Sequence, residues 1–145
     1  LKIIQKRCLG TDFYLRNTAE ALTTIGRRGV NVGKALALSI PGWRMKSAIH
    51  RHHIATNNGF SGIYDFSGRV PYRNLFKRFL SVGRDEMLVM CHPGYPDNQL
   101  AMIDSVSSQR LAELEYLLDD QFLEDLTQAD FRLARFRRSS QPPRI

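Results

Sequence analysis

Apolar side chains recur at three- and four-residue steps in two segments of the 145-residue chain. Residues 71–80, PYRNLFKRFL, place Tyr72, Leu75, Phe76 and Phe79 on one helical face, after a proline that suits a first turn. Residues 110–126, RLAELEYLLDDQFLEDL, follow Ser107 and Ser108, either of which can cap a helix. The apolar positions of this second segment are Leu111, Leu114, Leu118 and Phe122. Each segment predicts one amphipathic helix.

The amino-terminal third also predicts helices, with clear start and stop signals. Thr18 can cap the start of a helix. Arg27 and Arg28 suit the last turn of this helix, and Gly29 can end it. Residues 34–52 have a second helical pattern, which Pro41 and the following glycine interrupt. Since proline lacks the amide donor and clashes with the preceding turn, we expect two shorter helices there.

Three segments have the pattern of strands. Residues 54–56 predict a short strand that runs into the turn-forming triplet 57–59. Residues 87–91, MLVMC, form a continuous apolar run before Pro-Gly, which is typical of a parallel strand covered on both faces. Residues 131–136, FRLARF, alternate apolar and basic side chains and predict a closing strand. Residues 60–66, FSGIYDF, favour a loop over a site.

Together these elements predict an α/β fold with a mostly parallel sheet. Three strands are few for this length, so we interpret the chain as a piece of a larger α/β domain or barrel. Residues 1–136 are expected to form one domain, and the polar, proline-containing residues 137–145 a flexible tail. No run approaches the ~20 apolar residues that a membrane helix needs. Two widely separated cysteines indicate no disulfide framework and favour a cytoplasmic location.

The net charge of +7 is unevenly distributed. Residues 1–51 hold ten of the 21 Lys and Arg residues but only Asp12 and Glu20 among the acids. Such a segment can bind nucleic acid or another phosphate-rich partner, or it can be a solvated helix face. The solvated face is the favoured interpretation, because no nucleic-acid motif accompanies the charge.

His92 stands at the end of the predicted strand 87–91, where ligands and catalytic groups gather in parallel sheets. An imidazole exchanges protons near neutral pH, so His92 is a candidate catalytic residue. Alternatively, its side chain caps the strand by a hydrogen bond to a neighbouring loop. Cys91 should point to the other side of the strand and be packed.

Other polar clusters carry weaker signals. His50 and His53 could share a helical face as metal ligands, but no carboxylate is near them in sequence, and cationic side chains are also favoured at a helix end. Asp97 and Asp104 could bind a cation or a sugar hydroxyl, or be solvated loop residues.

Five stretches resemble the YdjC-like carbohydrate deacetylases in content and in order. They are TNNGFSGIYDF at 56–66, the segment 71–80, LVMCHPGYPDNQL at 88–100, DSVSSQRLAELEY at 104–116, and FRLARF at 131–136. The resemblance covers about residues 14–136. It points to the ChbG/HpnK-type branch, which includes chitooligosaccharide deacetylases and proteins associated with hopanoid biosynthesis.

The resemblance implies a TIM-barrel-like (β/α) fold, here truncated at its amino-terminal side, and an N-acetylated amino sugar as substrate. Family proteins hold a divalent metal, Mg²⁺ or Zn²⁺, with an aspartate and two histidines upstream of this region. This chain therefore contributes no predicted metal ligand, and Asp12 does not match the family's amino-terminal signature. We expect no metal to bind to this chain alone.

The resemblance carries over to a few residues of this chain. His92 corresponds to a histidine at a late strand end, as general acid for the leaving amine or as a partner that orients the catalytic carboxylate. Asn58 and Arg110 occupy motif positions that imply substrate binding, although Asn58 stands where relatives often have Asp.

Two functions follow. The first is the carboxyl-terminal portion of a metal-dependent carbohydrate deacetylase, inactive alone. The alternative is a basic binding module formed by residues 1–51, whose affinity for nucleic acid would fall steeply with salt.

Overall fold

A computed structural model describes residues 13–97, 99, 102 and 106–135 of the chain. The strands are β1 (Tyr14–Leu15), β2 (Ala55–Thr56), β3 (Phe60–Ser61) and β4 (Leu88–Val89). The helices with described bounds are α1 (Leu22–Arg28), α2 (Val32–Arg51), α3 (Tyr72–Leu80), α4 (Ser107–Leu118) and α5 (Asp120–Gln128). Asp12, Asp104 and the predicted tail 137–145 lie outside the described residues.

The strands form two parallel pairs, which confirms the predicted α/β class. β1 pairs with β2, with Tyr14 opposite Ala55, and β3 pairs with β4, with Phe60 opposite Leu88. The prediction of a loop throughout 60–66 was wrong at β3, which is buried in a pair that links residues far apart in sequence. β4 is only partly buried, less than the full cover predicted for 87–91.

The closing strand predicted at 131–136 is absent from its described part, residues 131–135. The amide of Phe131 instead donates to the carbonyl of Leu126 at 2.8 Å and so closes the end of α5. Phe131 packs against the main core, whereas Leu133 is exposed. The alternating apolar and basic residues therefore lie in an irregular segment, in which the side chain of Phe131 packs inward.

The first helix ends as predicted but begins later. Gly29 adopts a left-handed φ of 64°, and its amide donates to the carbonyl of Ile25. The helix starts at Leu22, with Ala21 as its N-cap residue, so the prediction of Thr18 as the cap was wrong. The Thr18 hydroxyl donates instead to the carbonyl of Leu38 in α2, at 2.7 Å.

Pro41 lies inside one continuous helix, α2, which corrects the prediction of two shorter helices. Pro41 itself is exposed, so water can solvate the carbonyl that loses its partner. Segment 18–20 packs along the helix here: the Ser39 hydroxyl meets the Thr18 carbonyl at 3.3 Å. A Cβ on Gly42 would lie 2.3 Å from the amide nitrogen of Ala19. This packing supports a continuous helix through the proline.

The main core lies between α3, α4 and α5. The four predicted apolar residues of α3 are all buried there, together with Tyr116, Phe122 and Leu126. The single helix predicted over 110–126 is two helices, because Asp119 adopts an extended conformation and its side chain accepts from the amide of Gln121. The break leaves Leu118 exposed and turns Phe122 into the core.

Helix α4 begins at Ser107, with Val106 rather than a serine as its N-cap residue. In the described part of the chain, no helix combines the length and apolarity that crossing a membrane requires.

Candidate active site

The carboxyl ends of β3 and β4 approach each other at Gly62. The amide of Met90, one residue beyond β4, donates to the carbonyl of Ser61, the last residue of β3, at 2.9 Å. Gly62 has a φ of +92°, and a Cβ at this position would lie 2.0 Å from the Met90 carbonyl oxygen. Because Gly62 has no side chain, the segments that follow β3 and β4 can remain in contact. They lead to Tyr64 on one side and to His92 on the other.

His92 lies three residues beyond β4 and is half-buried. Its ring meets the ring of Phe66 edge-on, with centroids 5.5 Å apart. Its Nδ1 is buried and has no hydrogen-bond partner among the described residues. The imidazole thus makes no strand-capping bond through Nδ1. The main-chain amide of His92 donates to the carboxylate of Glu113.

Glu113 of α4 brings these strand ends together. Its side chain is fully buried, and its Oε1 accepts from the Tyr64 hydroxyl at 2.5 Å while its Oε2 accepts from the His92 amide. Burial and the hydrogen bond to Glu113 raise the pKa of Tyr64 above its ordinary value. Glu113 was not among the site residues predicted from the sequence. A signal existed, because Glu113 precedes the buried Tyr116 by three residues and so shares its helical face.

Arg110 lies one turn before Glu113 and reaches the same segment. Its Nη1 is 3.5 Å from the carbonyl oxygen of His92, and its own carbonyl accepts from the amide of Gly94 at 3.2 Å. The structure therefore brings together two of the three predicted site residues, His92 and Arg110.

The third, Asn58, lies at the opposite end of the strands. It is exposed, its amide donates to the carbonyl of Glu86 before β4, and its carbonyl accepts from Nε of Arg84 at 2.8 Å. A cavity of about 750 Å³ opens on that side, lined by Asn57, Glu86 and Phe131 among others. His92 is not part of its lining. The cavity and the candidate catalytic histidine are therefore separate features.

The aromatic ring of Phe66 contacts His92 and also carries a cation on its face. Phe66 has a left-handed φ of 57°, a conformation that is uncommon for non-glycine residues. The exposed Lys34 at the start of α2 holds its Nζ 5.2 Å from the centre of the Phe66 ring. From Gly62 onward the predicted loop conformation is present, and it brings Phe66 into contact with His92.

The remaining candidate groups do not assemble. His50 and His53 are exposed, and no group of three or more His, Cys, Asp or Glu in the described residues could hold a metal ion. Cys91 is exposed, so the prediction that it is packed was wrong.

The basic half of the chain is not a uniform cationic face. Arg28 is buried, donates to the carbonyl of Phe60 at 3.2 Å, and pairs with the buried Glu20 at 3.3 Å. Arg84 also donates to Glu20, whose Oε2 accepts from the Phe60 amide. Part of the basic charge therefore holds β3 in place.

Comparison with known proteins identifies a family. A family model described as YdjC-like protein matches residues 1–128. No curated protein and no solved structure matches the chain. The matched range contains both strand ends, His92, Arg110 and Glu113.

Proposed function

This chain belongs to the YdjC-like family, and from that premise we propose that it is the carboxyl-terminal portion of a metal-dependent carbohydrate deacetylase. The family is related to carbohydrate deacetylases, which supports this general kind of activity. The finer parts of the proposal are the ChbG/HpnK-type branch, a TIM-barrel-like fold truncated at its amino-terminal side, a domain over 1–136, and a cytoplasmic location.

The observation that carries the proposal is the position of His92. It follows a parallel strand at the carboxyl end, where rigid strands and converging loops place reactive groups in α/β enzymes. Its Nδ1 is buried, so Nε2 is the ring nitrogen to which we assign proton transfer. In hydrolysis of an N-acetyl group, the C–N bond breaks and the departing amine needs a proton. His92 supplies that proton as general acid.

Arg110 has a supporting role in this proposal. Its guanidinium meets the main chain of His92, which places a cation beside the segment that faces the substrate. We assign Arg110 to the substrate-binding rim. Asn58 contacts Arg84 and Glu86 at the other end of the strands, so the site around His92 is proposed without it.

The metal part of the proposal rests on the resemblance to the family. The described residues contain no cluster of potential ligands that fits a divalent ion. We therefore assign Mg²⁺ or Zn²⁺ to ligands of the upstream half. An N-acetylated amino sugar is the proposed substrate, and its acetyl group is the group released.

Acetate release tests the proposal in two forms of the protein. The 145-residue chain alone should bind neither Zn²⁺ nor Mg²⁺ tightly in calorimetry and should release no acetate from N-acetylglucosamine oligomers. A longer chain with its upstream half restored should be active, and His92→Ala should lower its kcat by ~10²–10⁴. His50→Ala, which removes an exposed histidine of α2, is the matched control and should leave kcat unchanged. Turnover by the 145 residues alone, or an unchanged kcat in His92→Ala, would contradict the proposal.

A further inference from the structure

Glu113 is a buried carboxylate with an unusual set of partners. Its two oxygens accept from the Tyr64 hydroxyl and from the His92 main-chain amide, which belong to two different strand ends. Among the described residues, Glu113 forms no ion pair, in contrast to the buried carboxylates of Glu20 and Asp125. Glu113 therefore links two segments by hydrogen bonds, with no cation of the described residues paired to it.

Core packing alone does not account for this residue. Taking a carboxylate out of water is unfavourable, and an apolar side chain of similar volume often gives a more stable core. The neighbours are apolar and aromatic: Tyr64 is 2% exposed and lies between the rings of Phe66 and Tyr72. A leucine would suit these neighbours but would leave the His92 amide without an acceptor. The carboxylate is thus suited to holding a donor in place.

The same helix holds the next polar groups of the segment as well. Along residues 92–94, the His92 amide meets Glu113, the His92 carbonyl meets Arg110, and the Gly94 amide meets the Arg110 carbonyl. Helix α4 therefore fixes the main chain on both sides of the imidazole. The T-shaped contact with Phe66 restricts the orientations of the ring itself.

We propose that Glu113 and Tyr64 are positioning residues for His92, which hold its main chain so that the imidazole meets the departing amine. This inference rests on the proposed function, because it gives the fixed histidine a reaction to serve. Neither Glu113 nor Tyr64 touches the substrate. Tyr64 orients the carboxylate through Oε1, and the carboxylate then orients His92 through Oε2.

Amide hydrogen exchange tests the contact in the 145-residue chain itself. Glu113→Leu should speed exchange of the His92 amide at least about tenfold, because the buried donor loses its acceptor. Glu113→Gln keeps an acceptor oxygen and should retain most of the protection. Glu115→Gln, an exposed carboxylate of the same helix, is the matched control and should change nothing. Equal His92 exchange in Glu113→Leu and wild type would overturn the inference.

Tyr64→Phe provides the second variant if Glu113→Leu fails to fold. It removes one donor and leaves the ring packing intact, so His92 exchange should again rise. Tyr116→Phe is its control, because Tyr116 is also buried but its hydroxyl donates to Asp125. A rise with Tyr116→Phe equal to that with Tyr64→Phe would mean general loosening of the core and would overturn the inference.

Kinetics in the longer chain separate this inference from the proposed function. Glu113→Leu should lower kcat about 10²-fold at unchanged KM, as expected for a displaced catalytic group, and Glu113→Gln should restore most of it. An inactive longer chain, or full activity in His92→Ala, contradicts the proposed function. A loss of activity in His92→Ala with full activity in Glu113→Leu and Tyr64→Phe contradicts the positioning role alone.

Discussion

Gly62 is the position at which one added methyl group should do most harm. It lies between β3 and Tyr64, and its φ of +92° is a conformation that side chains rarely allow. In Gly62→Ala the new Cβ would lie 2.0 Å from the carbonyl oxygen and 2.6 Å from the nitrogen of Met90. Both are main-chain atoms, so no rotamer change can relieve the clash.

The cost follows from two contributions. Left-handed or otherwise sparsely populated backbone costs about 1–3 kcal/mol for a non-glycine residue. Moving the two main-chain segments apart, until the new Cβ and the Met90 atoms are at ordinary contact distance, is a form of overpacking. Overpacking costs about 1–3 kcal/mol. It also lengthens the 2.9 Å hydrogen bond from Met90 to Ser61. We expect Gly62→Ala to lower the free energy of unfolding by about 4 kcal/mol.

Thermal and urea unfolding measure this cost. About 4 kcal/mol corresponds to a fall in Tm of at least about 8 °C in a chain of this size. Gly26→Ala in α1 is the matched control, since its Cβ meets nothing within 4 Å. It should stabilise the helix by about 0.5–1 kcal/mol. A Tm of Gly62→Ala within about 2 °C of wild type would refute this account of how β3 and β4 meet.

Three further predictions concern stability. The hydrogen bond from Arg73 holds the pKa of Asp125 below its ordinary value. The ionised carboxylate therefore stabilises the fold above pH ~4, the ordinary pKa of an aspartate, and this contribution is lost as the pH falls below that value. Asp125→Asn should thus be less stable by about 1–3 kcal/mol at pH 7, with the difference shrinking in urea titrations from pH 4 downward; a constant difference would contradict this. Glu20→Gln should cost about 3–5 kcal/mol in urea unfolding, because it leaves Arg28 buried without its counter-charge, and a cost below about 1 kcal/mol would show the pair to be dispensable. Pro41→Ala should raise Tm, since it restores a hydrogen bond inside α2, and a lower Tm would show that the proline ring makes contacts that the helix needs.

Local sequence signals were enough for elements whose stability is local. The apolar stripe of α3 and the stop at Gly29 could be predicted, because a periodic apolar face and a left-handed glycine act within a few residues. The same holds for the strand before His92. Its position at a strand end follows from the apolar run and the Pro-Gly that ends it.

Local sequence signals gave wrong or incomplete predictions where contacts with distant residues decide the structure. Pro41 predicts a break, but packing of segment 18–20 along α2 keeps the helix continuous. The leucine spacing predicts one helix over 110–126, but Asp119 divides it and Phe122 enters a core shared with α3. Asn58 looked equivalent to Arg110 as a site residue, and only the direction of the parallel strands shows that it lies at the other end.

The sequence by itself determined the α/β class, the amphipathic helix α3, the family resemblance and the candidate catalytic residue His92. Tertiary structure alone decided what surrounds that histidine. Tyr64 and Glu113 are 49 positions apart in the chain, and Glu113 follows His92 by 21. Periodicity reports which face of a helix is buried, but it cannot report which donors a buried carboxylate meets. That information appears only when β3, β4 and α4 converge on the same point.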